Sequence, residues 1–101
     1  MSYTVVFSRT FQKKAKKFRR SGVGYIHEAL QEILLLFHSY DAHSRLLLRE
    51  CWRDHALKGD KSGIRELHLA ADDLLLYKTD ESIFRIELID IVSHEELRKQ
   101  R

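Results

Sequence analysis

The chain has 101 residues, 44% of them hydrophobic and 33% charged, which fits one globular domain with a modest core and excludes a disordered chain. Eighteen Lys and Arg against fifteen Asp and Glu leave a net charge of +3, too small an excess to imply a nucleic-acid partner by itself. The single cysteine, Cys51, excludes an intramolecular disulfide and fits a reducing compartment. No apolar run reaches the roughly 20 residues of a membrane span. The opening MSYTVVFSRTF lacks the basic and apolar regions of a signal peptide, and neither end carries a lipidation signal. A cytoplasmic location without a membrane partner is expected.

Thr4 to Phe7 are β-formers and predict a first strand. From Arg9 to Arg20, Phe11, Ala15 and Phe18 recur at i, i+4 and i+7, an amphipathic helix that turns most of its lysines outward. Lys13, Lys14, Lys16, Lys17, Arg19 and Arg20 fall in this stretch with no acid among them. Such a cluster suits a polyanion, either RNA or an acidic protein segment; an ordinary solvated helix face is the bland alternative. Ser21, Gly22 and Gly24 break the helix. Ile26, Leu30, Ile33, Leu34 and Phe37 then hold a helical period to about Ser39, which predicts a helical hairpin.

Tyr40 to Asp54 is ambiguous: Arg45 to Trp52 fits a short helix or an irregular connection equally well. From Gly63 the period becomes two. Ile64–Leu69, Leu74–Lys78 and Ile83–Ile89 predict three strands, joined as an antiparallel meander by 70–73 and 79–82. Ser93-x-x-Glu96 is a capping box that starts a short final helix.

The expectation is a single α+β domain over residues 1–101, with the helix pair covering one face of the sheet. Alternation places Leu67, Leu69, Phe84, Ile86 and Leu88 on the covered side. Glu66, His68, Arg85 and Glu87 collect on the open one.

Four fragments stand in order along the C-terminal half: Asp54-His55-Ala56-Leu57-Lys58-Gly59, Arg65-Glu66-x-His68-x-x-x-Asp72, an apolar strand ending in Tyr77, and Ser93-His94-x-x-Leu97. Together they resemble the YafQ-type toxins of the RelE/ParE superfamily; the N-terminal half resembles them in pattern only. The resemblance implies a RelE-like fold and a type II toxin that is a ribosome-dependent messenger-RNA endoribonuclease. It also implies a cognate antitoxin wrapped around the toxin, in a complex able to bind operator DNA. Its functional positions fall on His55, His68, Asp72 and His94. The sequence departs from the pattern at Asp73, where Trp is frequent, at Val92, where Gly is usual, and at Arg98, where an aromatic normally follows the Leu. The interval from Arg85 to His94 is two residues longer than in the pattern.

Metal-independent RNA cleavage uses the substrate's 2′-hydroxyl as nucleophile. It needs one group to take that proton, another to protonate the departing 5′-oxygen, and cations for the phosphorane charge. Imidazole suits both proton transfers. The expectation is therefore His94 as general acid, His68 or His55 as base, Asp72 as orienting group and Arg65 or Arg85 as phosphate contact, with Lys13, Lys14, Lys16 and Lys17 adding charge-driven affinity. The alternatives are solvated histidines on a polar strand face, an Asp72 that caps a turn, and a Trp52 in the core rather than stacked on a base. Cys51-x-x-x-His55 has no further ligand in sequence, so no metal or other cofactor is expected. Two other functions stay open: a ParE-like poison that binds DNA gyrase on the same fold, and a catalytically decayed RNA-binding relative.

Overall fold

A computed structural model describes residues 2–20, 24–59 and 63–99. The elements are β1 (Thr4–Phe7), α1 (Arg9–Arg20), α2 (Gly24–Ser39), α3 (Ala42–Trp52), β2 (His55–Ala56), β3 (Arg65–His68), β4 (Leu74–Asp80), β5 (Arg85–Val92) and α4 (His94–Lys99). The predicted glycine turn at 21–23 lies outside the described residues. No helix among them is long and apolar enough to cross a membrane.

The five strands form one sheet in the order β1-β5-β4-β3-β2. Strands β2 to β5 are antiparallel neighbours, as a meander requires, whereas β1 lies parallel to β5 with Val5 opposite Ile86. That parallel pair is possible because the whole helical segment crosses over between the two strands. Ser8 starts α1: its Oγ accepts the Phe11 N–H at 3.0 Å, an N-cap.

The apolar stripes of α1 and α2 do what their period dictates. Phe11, Ile26, Ile33 and Phe37 pack with Leu67, Leu75, Tyr77, Ile86, Leu88 and Ile91 in one core. The ambiguous segment is a true helix, α3. Asp41 accepts the Ser44 N–H at 2.8 Å to start it, and Leu48 is buried in the main core. Trp52 packs partly buried against the same core.

Three expectations need correction. The last strand begins at Arg85, not Ile83, because residues 81–84 form the turn; Phe84 there has φ 51° and takes no part in strand alternation. Ile89 is an extra residue in β5: the register runs Leu76 to Asp90 and then Tyr77 to Leu88. This β-bulge reverses which face each later side chain occupies and takes up one residue of the long interval before His94. The second sheet face, expected to be open, is closed at one end. Leu74, Leu76, Val92 and Leu97 make a small second core there, with Leu57, Ile64 and Ile89 packed against it.

Candidate active site

Three imidazoles reach one end of the sheet from three separate elements. His55 opens β2, His68 closes β3 and His94 starts α4. The β2–β3 register sets His55 opposite Glu66, and alternation keeps His68 on the Glu66 face. Ring centroids are 6.3 Å apart for His55 and His68, and 5.5 Å apart for His68 and His94.

Glu66 is the buried centre of the cluster. It is 4% exposed, and its Oε1 lies 3.5 Å from His55 Nε2 and 3.8 Å from His68 Nε2. Withdrawing a carboxylate from water costs several kcal/mol unless donors or cations compensate (~5 kcal/mol in scale). Among the described residues, the two imidazoles are the groups beside it that can carry positive charge. The resemblance assigned Glu66 no role, although its place on the His68 face was already legible.

Two of the rings are held in a known orientation. The carbonyl oxygen of Arg53 lies 2.8 Å from His55 Nδ1. A carbonyl only accepts, so Nδ1 carries the proton and Nε2 is the atom turned to Glu66. Asp72, in the turn between β3 and β4, accepts from His94 Nδ1 at 2.9 Å and from the His94 backbone N–H at 3.2 Å. His94 Nε2 is then the nitrogen left for chemistry. Burial pushes the His68 imidazole below its ordinary pKa against the pull of Glu66, and His94, Arg53 and His55 add to the lowering.

The placement of His94 has a mechanical basis. Ser93 and Glu96 form the predicted capping box, with Glu96 N donating to Ser93 Oγ at 3.1 Å and Ser93 N to Glu96 Oε1 at 3.3 Å. Lys14 Nζ reaches over from α1 to the Ile91 carbonyl at 2.8 Å, Asp90 at 3.3 Å and Glu96 at 3.5 Å. Leu97 pins the helix into the second core.

The cations fall out differently from the sequence expectation. Arg65 shares the covered face with Leu67. Its guanidinium grips the buried Asp54 carboxylate, with Nη2–Oδ2 at 2.8 Å and Nε–Oδ2 at 3.2 Å. Tyr77 also donates to Asp54. Arg65 is thus engaged in a structural ion pair, with a third of its side chain left exposed. Arg85 pairs with Asp80, six residues along β4 from Leu74, the partner of His68. At about 3.3 Å per residue that is some 20 Å away, so Arg85 and Glu87 do not join the cluster. Lys14 is engaged as described above, while Lys13, Lys16 and Lys17 are exposed. The cation that does line the recess beside His68, together with Cys51, Ala70 and Ala71, is Arg53. It caps α3 in the left-handed conformation, with φ 54°, and no sequence motif marked it. His27, His38 and His43 are exposed. The side chain of Arg98 lies outside the described residues.

Ligand atoms of Glu66, His68 and His94 lie within 4.8 Å of one another, the one such group found among the described residues. Cys51 is exposed and no part of it. The cluster therefore offers two functions to a chemist: proton transfer between imidazoles, or coordination of a cation by two nitrogens and an oxygen.

Residues 3–99 match the family model for the bacterial toxin of type II toxin-antitoxin systems, YafQ. The chain belongs to the YafQ family. No curated protein sequence matches it. Among solved structures, a metal-bound toxin from Helicobacter pylori is 27% identical over 96% of this chain and 99% of that one, with a TM-score of 0.68. YafQ in the Escherichia coli DinJ–YafQ toxin–antitoxin complex is 21% identical over 96% and 98%, with a TM-score of 0.71. YafQ from E. coli strain BL21(DE3) gives 20%, 94% and 97%, and 0.68. The two E. coli likenesses carry the fold, which is the RelE-like α+β arrangement of this superfamily. As a YafQ-family chain, the protein is a type II toxin.

Proposed function

We propose that this toxin cleaves messenger RNA on the ribosome by metal-independent acid–base catalysis, using His68 as base and His94 as acid. The observation that carries this reading is the Asp72–His94 pair, 2.9 Å apart, beside a His68 ring at 5.5 Å. His68 takes the proton of the RNA 2′-hydroxyl as that oxygen attacks phosphorus. The phosphorus–5′-oxygen bond breaks, and the departing oxygen takes the proton from His94 Nε2. The products are a 2′,3′-cyclic phosphate and a 5′-hydroxyl. Asp72 orients His94 and stabilises its charged form, and His55 with Glu66 completes the proton-bearing surface. Arg53, which lines the recess beside His68, supplies a cation for the phosphate.

The ribosome is needed because so small a site offers few groups to align an RNA for in-line attack. The expected neutraliser is an acidic antitoxin segment, as DinJ accompanies the E. coli relative. A groove of about 430 Å³ between α1 and α2, floored by Phe11, Phe18, Leu30 and Leu34 and rimmed by Lys16 and Arg19, suits an amphipathic acidic chain that orders on binding. An operator-binding role for that complex follows the family expectation.

The test is single-turnover cleavage with purified ribosomes carrying a defined message. Cutting is expected on programmed ribosomes and not on naked message. His68→Gln and His94→Gln should each slow it about 10²–10⁴-fold, the usual cost of losing an acid or base. Efficient cutting of naked message would contradict ribosome dependence; wild-type rates in both variants would contradict the acid–base assignment.

A further inference from the structure

The buried Glu66 carboxylate has two imidazoles on its open side and, among the described residues, pairs with no lysine or arginine. His55, one of those imidazoles, is half exposed and 3.5 Å away. His68 and His94 bring ring nitrogens to within 4.8 Å of the same carboxylate. We infer that Glu66, His68 and His94 form a binding site for a divalent transition metal, and that occupying it switches the toxin's cleavage chemistry off.

The donor set decides the class of ion. Two imidazole nitrogens and one carboxylate oxygen suit Zn²⁺, Ni²⁺ or Cu²⁺. Mg²⁺ prefers oxygen ligands and keeps its waters, so the magnesium that ribosomes require does not compete. Geometry is close to what such an ion needs. Tetrahedral bonds of about 2.0–2.1 Å set ligand atoms about 3.3 Å apart, so atoms that lie within 4.8 Å of one another each move inward by less than about 1 Å. Side-chain rotation supplies that movement, since His94 is only partly buried. Pre-organisation is already in place. The Asp72 carboxylate on His94 Nδ1 is the outer partner that metal-bound histidines commonly use, and it turns the Nε2 lone pair outward. Three protein ligands leave the fourth position to water.

Inhibition follows from the same atoms, and in this respect the inference rests on the acid–base reading above. A metal–nitrogen bond occupies the lone pair with which His68 takes the 2′-hydroxyl proton. It likewise occupies the nitrogen on which His94 carries the proton for the leaving oxygen. One ion removes both groups at once.

The experiment uses the tag-free full chain. Calorimetric titration with ZnCl₂ should give one ion per chain. Glu66→Gln, His68→Gln and His94→Gln should each weaken binding at least about tenfold, and Asp72→Asn about 10- to 100-fold. His27→Gln should leave it unchanged. His94→Gln guards against misfolding, because its ring is half exposed; thermal melts check the others. Cleavage on programmed ribosomes at constant Mg²⁺ should then stop at one equivalent of Zn²⁺ and return on adding a zinc-selective chelator. The inference is overturned if Zn²⁺ does not bind, if it binds equally well to the ligand variants, or if it accelerates cleavage. A toxin that binds Zn²⁺ as described but never cuts, metal-free or not, refutes the acid–base reading and the switch with it while the binding site stands.

Discussion

Asp72 Oδ1 accepts a hydrogen bond from His94 Nδ1 at 2.9 Å, joining the β3–β4 turn to the start of α4. The bond crosses 22 residues of sequence and sets which nitrogen of His94 meets the substrate. Asp72→Asn can present its amide nitrogen instead and favour the wrong tautomer. It should lower the single-turnover rate about 10- to 100-fold, less than loss of an acid or base outright, because solvent reaches this carboxylate. Ribosome binding, measured by filter retention, should change little.

Asp54 and Arg65 form an ion pair at the edge of the interior. Removing one partner of a buried ion pair typically costs about 3–5 kcal/mol, and Asp54 also receives the Tyr77 hydroxyl. Asp54→Ala should therefore lower stability by roughly that amount in urea unfolding. Tyr77→Phe should cost less, about 1–3 kcal/mol, since Asp54 keeps Arg65.

The lysines of α1 should separate into two classes. Exposed Lys13, Lys16 and Lys17, replaced together by Gln, should flatten the salt dependence of ribosome binding, because fewer counterions are released. Melting temperature should hardly move. Lys14→Gln should do the reverse, lowering the melting temperature and loosening α4 while leaving the salt slope nearly intact, since its Nζ is spent on Ile91, Asp90 and Glu96.

Asp41 gives a pH-dependent check on α3. Accepting the Ser44 N–H holds its carboxyl below the usual carboxylate range. A depressed folded pKa gives stability that is present above the unfolded value and lost as pH falls through the folded one. Asp41→Ala should thus lower the melting temperature at pH 7. The gap from the native chain should begin to narrow below about pH 3.8, where the unfolded chain's carboxyl protonates, and close at lower pH as the native carboxyl follows.

Much of this molecule was legible because period governs burial. Phe11, Ala15 and Phe18, and then Ile26, Leu30, Ile33 and Phe37, announce α1 and α2; alternation of Glu66, Leu67, His68 and Leu69 marks β3, and β4 shows as an apolar run buried on both faces. Helix α3 was obscure because only Ser44 and Leu48 are buried along it, too few to make a stripe; its Asp41 cap was the signal to follow. Strand β2 has two residues and exists by pairing with β3, which no local pattern reveals. Arg85 and Glu87 do alternate with the buried Ile86 and Leu88, but alternation carries no distance along the strand, and the register sets them far from His68. Arg65 is different: alternation from Leu67 already put it on the core side, where it meets Asp54. His55, His68, Asp72 and His94 were found by resemblance and Glu66 was placed on the His68 face by alternation, whereas Arg53 carried no signal before α3 and its cap were in place.

The most direct test of the central claim is a map of 5′ ends on a reporter message after induction in cells, with the start codon intact or removed. New 5′-hydroxyl ends should appear in the translated message alone. They should vanish, together with growth inhibition, when His55, His68 and His94 are all changed to Gln. Ends that persist in the untranslated message would contradict action on the ribosome. Growth inhibition that survives loss of all three histidines would contradict the nuclease itself and favour a protein target such as DNA gyrase.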